Sequence, residues 1–132
     1  MSITRLFAAF GAALVLCAPA AQAEEAPAWS DALVIDGVVT AYATGGDGGA
    51  VGAMTASGVR TRWGTVAADW RLYPPGTKLK IDAFPDDVFT VEDSGGAVKG
   101  NIFDIWFPDL PTAEAFGTRH LKVTVLVASE RP

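Results

Sequence analysis

The sequence predicts an all-β domain, a barrel or sandwich of about six short strands with one short helix. From residue 65 onward, turn signals rich in Pro, Gly, Asp and Ser recur at short intervals. The segments between them are rich in β-branched and aromatic residues, which favour strands. The chain of 132 residues shows no internal repeat and suits one domain with a modest core.

The elements follow one another in a simple order. Strands are predicted at residues 32–42, 66–69, 78–82, 88–92, 102–107 and 121–127. Turns are predicted at Pro74–Gly76, Pro85–Asp87 and Ser94–Gly96, and another at Asp36–Gly37 inside the first strand. Residues 111–116 suit one or two helical turns, which Gly117 would end.

The N-terminus predicts export, to the periplasm or the medium. Arg5 precedes an apolar run over residues 6–16, and a small-residue cleavage site ends at Ala23. The run is shorter than the roughly 20 residues of a membrane span, which favours cleavage over an anchor. Cys17 follows Leu16 instead of the small residue that a lipoprotein signal requires. We therefore assign a signal peptide to residues 1–23, a polar leader to 24–31 and the domain to 32–132.

Charge and composition exclude several classes of function. The net charge of −5 argues against nucleic acids and anionic membranes as partners, since these require basic patches. The chain after residue 23 has no cysteine and one histidine, His120, so neither a thiolate metal site nor a histidine-based triad is expected. The glycine-rich segment 44–52 lacks a Walker lysine and is predicted to be a flexible loop.

Asp104 is the carboxylate that the pattern singles out. In the strand at 102–107, Phe103, Ile105 and Phe107 share one face, and Asp104 lies on the other between Ile102 and Trp106. Burial among apolar side chains raises a carboxyl pKa, and such groups are candidates for functional sites. The alternative is a structural aspartate that caps a turn at a barrel mouth.

Two further aspartates lie next to predicted turns. Asp69 ends the strand at 66–69, and Asp93 precedes the turn at 94–96. Each taken alone is typical of a turn aspartate, which bonds to its own downstream backbone.

Segment 91–100, Val-Glu-Asp-Ser-Gly-Gly-Ala-Val-Lys-Gly, followed by Phe103-Asp104-Ile105, resembles the signature of the three-aspartate (3D) domain family. This family includes membrane-bound lytic transglycosylases and muralytic resuscitation-promoting and stationary-phase survival proteins. Weaker matches to the same family lie at Thr40–Tyr42, Thr55–Gly58, Gly64–Asp69, Pro75–Thr77, Ala115–Gly117 and Val123–Leu126. Pro75 stands where the family usually has a leucine.

The resemblance implies a double-psi β-barrel that cleaves the MurNAc-β-1,4-GlcNAc bond of peptidoglycan and forms 1,6-anhydroMurNAc. Such a reaction needs neither metal nor cofactor. By position, Asp104 would be the single acid/base. Asp93 and Asp69, if close, would raise the pKa of Asp104 by like-charge repulsion.

The resemblance also suggests which residues would bind the glycan. These are Lys99, Ser94, Gly95, Gly96, Thr55 and Trp106. Lys99 is expected to contact substrate or Asp93 and not Asp104. The threonine and serine could instead cap turns, and Trp106, like Trp63 and Trp70, could instead belong to the core.

The large transglycosylase of this family has a second domain that helps to form the glycan groove, and from the length of this chain we expect no such domain here. A bare barrel would bind glycan weakly, form a homodimer or need a partner. A non-catalytic glycan-binding or wall-loosening barrel, or an inert structural barrel, therefore stays open beside the enzyme.

Overall fold

The computed structural model describes residues 13, 28–44 and 52–129. The predicted cleavage site, almost all of the predicted signal peptide and most of the predicted glycine-rich loop lie outside these residues. Within the described part of the chain, no helix is long and apolar enough to cross a membrane.

Six strands and one helix form the domain, in the number and order that the sequence predicts. They are β1 (Trp29–Ala43), β2 (Thr65–Ala67), β3 (Lys78–Ile81), β4 (Phe84–Asp93), β5 (Ile102–Phe107), α1 (Leu110–Phe116) and β6 (Arg119–Ala128). The all-β prediction with one short helix is therefore confirmed. β1 begins at Trp29, so three residues of the predicted polar leader belong to the first strand.

The strands close into a barrel in the order β1-β5-β2-β4-β3-β6. β1 pairs with β5 in parallel, and β2 pairs with β4 in parallel. The remaining neighbours, β1 with β6, β2 with β5, β3 with β4 and β3 with β6, are antiparallel. A closed six-stranded barrel with two parallel pairs is the arrangement expected of the double-psi fold, and it decides between barrel and sandwich.

The core fills the barrel interior, and alternation along β5 shows how the sequence builds it. Phe103, Ile105 and Phe107 are buried in the core cluster, as their shared face predicts. Asp104 and Trp106 lie on the opposite face of the same strand. The polar residue of this strand is thus kept out of the apolar interior.

Two predicted turns are wrong. Asp36 and Gly37 pair with β6 in the middle of β1. Pro85–Asp87 lies within β4, and the turn between β3 and β4 falls at residues 82–83 instead. Gly37 has a different role, because a Cβ there would lie 3.1 Å from the Phe103 ring and from a Val123 methyl. A glycine is needed here for close packing of the strand on the core.

We expect Gly37→Ala to lower the free energy of unfolding by about 1–3 kcal/mol, the usual cost of overpacking a well-filled core. Chemical denaturation of both proteins measures this difference. Gly96→Ala is the matched control, since a Cβ at Gly96 meets no atom within 4 Å. An unchanged stability in Gly37→Ala would contradict the packing explanation.

Candidate active site

Three neighbouring strands bring two carboxylates together on the outer face of the barrel. Ala67 of β2 is the register partner of Asp104 in β5 and of Asp93 in β4. Residues paired across strands share a face, so the two aspartates flank the small Ala67 side chain. On the other side of β5, Thr40 of β1 is the register partner of Asp104. The sheet therefore places Asp104 between Thr40 and the Ala67–Asp93 pair.

Asp104 has a partly buried carboxyl group and one hydrogen-bond donor among the described residues. The Thr40 hydroxyl donates to Asp104 Oδ1 at 2.8 Å. Burial raises the pKa of Asp104, the Thr40 hydrogen bond opposes this rise, and the negative charge of Asp93 adds to it. Both causes that raise the pKa, burial and the Asp93 charge, agree with the expectation from the sequence.

Asp93 is held by three donors from three parts of the chain. The Tyr42 hydroxyl donates to Oδ2 at 2.9 Å, and the backbone N–H groups of Ala56 and Ser94 donate to Oδ1 at 2.9 and 3.0 Å. Burial and the bond to Asp93 raise the pKa of Tyr42, so its hydroxyl stays a proton donor at neutral pH. Asp93 thus fixes β1, the segment before β2 and the turn after β4 around its carboxylate.

Asp69 is buried, and it makes its hydrogen bonds to Arg71 and Gly100 and not to the pair formed by Asp104 and Asp93. Arg71 donates to it from Nε at 3.0 Å and from Nη2 at 2.7 Å, and Gly100 N donates to Oδ2 at 3.0 Å. These bonds hold the pKa of Asp69 well below its usual range. The expected repulsion of Asp104 by Asp69 is not among the causes that raise the Asp104 pKa. Asp69 instead fastens the loop that leads into β5, four residues before Asp104.

We expect Asp69→Asn to lower the Tm by several degrees at pH 7, because Arg71 loses its buried charged partner. The pKa of Asp69 is depressed in the fold, so its contribution is present above the unfolded pKa of about 3.9 and is lost as pH falls further. The Tm difference from wild type should therefore shrink in acid. Thermal denaturation at pH 7 and at about pH 3 measures it, with the exposed Asp86→Asn as control. A difference that is constant with pH would contradict this account.

Four of the residues predicted to bind substrate lie on the loop between β4 and β5. Ser94, Gly95 and Gly96 follow Asp93 directly, and a hydrogen bond from Val98 N to the Gly95 carbonyl at 3.1 Å closes a turn. Lys99 is exposed and makes no hydrogen bond or ion pair with the described residues, to Asp104 or to Asp93. The loop therefore forms a rim beside the two carboxylates, and the Lys99 ammonium group on this rim is available to bind a ligand.

Two other predicted binding residues are not available to a glycan in this structure. The Thr55 side chain is buried, and its hydroxyl donates to the Val59 carbonyl at 2.9 Å, which closes the turn at 55–59. Trp106 is 2% exposed, and its Nε1 donates to the Thr44 hydroxyl at 3.0 Å. Thr55 therefore caps a turn and Trp106 is a buried residue, as the alternatives in the sequence analysis describe, because neither side chain is exposed to solvent.

Thr40 and Tyr42 are site residues to which the sequence analysis gave no role. They are polar residues two positions apart on a strand whose other face, at Val39 and Ala41, packs in the core. This alternation was a usable signal. The role of Glu92, the residue before Asp93, was also not predicted. Its buried carboxylate accepts a hydrogen bond from Thr65 Oγ1 at 2.9 Å and hydrogen bonds from two nitrogens of Arg62.

Comparisons with known proteins find a matching family model and curated relatives. Residues 64–127 match the family model of the 3D domain. The chain is 34% identical over 91 residues to the cell wall-binding protein YocH of Bacillus subtilis, a match that covers 66% of this chain and 30% of YocH.

Two solved structures show the same barrel. The structure of MltA from E. coli with bound chitohexaose is 24% identical and has a TM-score of 0.51, covering 62% of this chain and 30% of that one. A ligand-free structure of an aspartate-to-alanine variant of the E. coli lytic transglycosylase MltA is 26% identical, with a TM-score of 0.50, and the match covers 60% of this chain and 28% of that one. The matched part of this chain thus spans less than a third of each relative. The barrel carries the signature of the three-aspartate proteins, and its residues 64–127 match the 3D domain family.

Proposed function

We propose that this chain is a peptidoglycan lytic transglycosylase that cleaves the MurNAc-β-1,4-GlcNAc bond and forms 1,6-anhydroMurNAc. The observation that supports this most strongly is Asp104, a partly buried carboxyl whose pKa is raised and which lies beside the firmly bonded Asp93. A raised pKa increases the fraction of protonated acid at neutral pH, which a general acid requires. The 3D domain match and the cell wall-binding relative support peptidoglycan as the substrate.

The proposed reaction needs one acid/base. Protonated Asp104 donates its proton to the glycosidic oxygen while the C1–O bond breaks and GlcNAc leaves. The C6 hydroxyl of the same muramic residue attacks C1, and the Asp104 carboxylate accepts the hydroxyl proton. The new C1–O6 bond closes the anhydro ring, and Asp104 ends protonated again. An ordinary glycosidase needs a second carboxyl, which the intramolecular nucleophile replaces here.

The hydrogen bonds support Asp104 as the acid in preference to Asp93. Asp93 accepts three bonds, so its oxygens are occupied as acceptors. Among the described residues, Asp104 accepts a single hydrogen bond, on Oδ1, which leaves Oδ2 to carry the proton that is transferred. In this proposal Asp93 tunes Asp104 electrostatically, and Asp69 positions the loop before β5.

The remaining site roles belong to the same proposal. Lys99, Ser94, Gly95 and Gly96 would contact the glycan from the rim beside Asp93. The signal peptide, cleaved after Ala23, would deliver the domain outside the cytoplasm, where peptidoglycan lies; relatives named for the cell wall support this location.

Digestion of purified sacculi in H₂¹⁸O, followed by mass analysis of the products, tests the proposed reaction. The wild-type domain should release muropeptides with 1,6-anhydro ends and without ¹⁸O. Reducing ends that contain ¹⁸O would show a hydrolase instead and would overturn the proposal.

A second candidate function is a non-catalytic glycan-binding barrel. It is supported by the name of one relative, which is described as a cell wall-binding protein. The same digestion discriminates between the two. Sedimentation of the protein with sacculi, without any released product, would select the binding function.

A further inference from the structure

An aromatic cluster closes the barrel near the end of β5 and is not used by the proposed reaction. Its members make ring contacts at centroid distances of 5.1 to 6.3 Å; they are Trp63, Phe84, Phe89, Phe107 and Phe116. Most of these rings are buried, but Trp63 is 41% exposed. The cluster therefore presents apolar surface to solvent at one end of the barrel.

A shallow cavity of about 270 Å³, widely open to solvent, lies beside this cluster. Its walls are Ala83, Phe84, Phe107, Ala115 and Phe116, with Thr112 and Arg119 at its polar side. Ligand pockets are typically concave and mostly apolar, with a few placed polar groups. This volume is just below the usual range for drug-sized ligands, so it suits a shorter group such as the end of a peptide.

Arg119 is the charged side chain among the residues that line this cavity. Its guanidinium carbon lies 4.3 Å from the centroid of the Phe116 ring, and its Nε donates to the Phe116 carbonyl at 3.0 Å. It forms no ion pair with a described residue, so its terminal nitrogens are available. The Thr112 hydroxyl already donates a hydrogen bond to Asp109 Oδ1 at 2.6 Å. A fixed guanidinium at the edge of an apolar cavity is suited to a carboxylate attached to a small apolar group.

We propose that this cavity binds the D-alanyl-D-alanine end of the stem peptide of peptidoglycan, whose small apolar side chains and free carboxylate match the lining. The inference rests on the proposed function, which supplies a substrate whose muramic residues carry such peptides. Phe107 in the cavity wall lies three residues from Asp104 on β5, about 10 Å along the strand, and on the opposite face of that strand. A stem of five residues, at roughly 3.3–3.6 Å per residue, is about 17 Å long and is long enough to pass around the end of β5 from the muramic residue at Asp104.

Two-dimensional ¹H–¹⁵N NMR of the full domain, titrated with N-acetyl-D-alanyl-D-alanine, tests this site. We expect saturable shifts centred on Ala83, Phe116 and Arg119, and affinity at least tenfold weaker for the same dipeptide with an amidated carboxyl. Arg119→Met should abolish saturation while keeping the aliphatic contact with Phe116. Lys80→Met, which removes an exposed charge from β3, should bind as wild type does.

The outcomes separate this inference from the proposed function, because the titration requires no turnover. Equal affinity for acid and amide, shifts centred elsewhere, or unchanged binding in Arg119→Met would each overturn the carboxylate site. Binding of apolar C-terminal peptides of proteins, without binding of the alanine dipeptide, would overturn it in favour of a protein partner. Anhydro products with no dipeptide binding would leave the proposed function standing and reject this inference. Melting curves of both variants verify that they are folded.

Discussion

Asp104→Asn is expected to reduce kcat/KM for glycan-strand cleavage by about 10³-fold or more, within the range for loss of a general acid/base. An asparagine has nearly the same shape and can still accept the hydrogen bond from Thr40. It cannot donate a proton to the glycosidic oxygen and recover one from the C6 hydroxyl. Turnover of soluble glycan strands, followed by chromatography of the anhydro products, measures the loss.

The amount of protein that sediments with sacculi separates a chemical defect from a folding defect. Asp104→Asn should bind sacculi as wild type does and melt at the same or a higher temperature, because it removes a buried carboxyl with a raised pKa. The exposed Asp86→Asn is the control for loss of one carboxylate and should be fully active. Asp104→Asn with more than a tenth of wild-type activity would mean that another group is the acid.

Asp93→Asn and Thr40→Val are expected to shift the basic limb of the pH–activity profile in opposite directions. The Asp93 charge raises the pKa of Asp104, so Asn at 93 should move the limb to lower pH. The Thr40 bond lowers the pKa of Asp104, so Val at 40 should move the limb to higher pH. Activity requires protonated Asp104 and therefore falls as pH rises through its pKa.

The size of these shifts follows from the strength of one bond. A hydrogen bond to a charged group contributes about 1.5–3 kcal/mol, and about 1.4 kcal/mol corresponds to a factor of ten. Each variant's kcat/KM is expressed as a fraction of its own maximum. At a fixed pH on the basic limb, this fraction should be about tenfold higher in Thr40→Val than in wild type, and lower than wild type in Asp93→Asn. Tyr42→Phe tests whether Asp93 acts by charge or by holding the fold, because it removes a bond to Asp93 but no charge. Shifts of the same sign in Asp93→Asn and Thr40→Val would contradict this electrostatic account.

The sequence predicts most of the fold, because its strands carry local signals. The strand at 102–107 was predicted at its observed bounds, since its apolar residues are bracketed by turn residues. The order of strands around the barrel is set by pairings such as β1 with β5, between residues more than 60 positions apart. No local pattern contains such pairings, so only the resemblance to the 3D family supplied them.

The candidate site was predicted in part for the same reason. Asp104 stands out because it interrupts an apolar strand, and the signature places Asp93 with it. The bonds from Thr40 and Tyr42 connect residues 64 and 51 positions apart, and local spacing cannot predict them. The two wrong turn predictions, at Asp36–Gly37 and Pro85–Asp87, arose from local signals that were misleading, because residues typical of turns lie within strands there. At Gly37 the reason is that the core leaves no room for a side chain.

The most direct test of the central claim is a ¹³C NMR titration of the aspartate side-chain carboxyls, with the Asp104 signal assigned by its loss in Asp104→Asn. Asp104 is expected to titrate above the exposed aspartates, and its midpoint is expected to coincide with the basic limb of the kcat/KM profile. A midpoint among those of the exposed aspartates, or a basic limb that does not follow Asp104, would contradict the assignment of Asp104 as the catalytic acid.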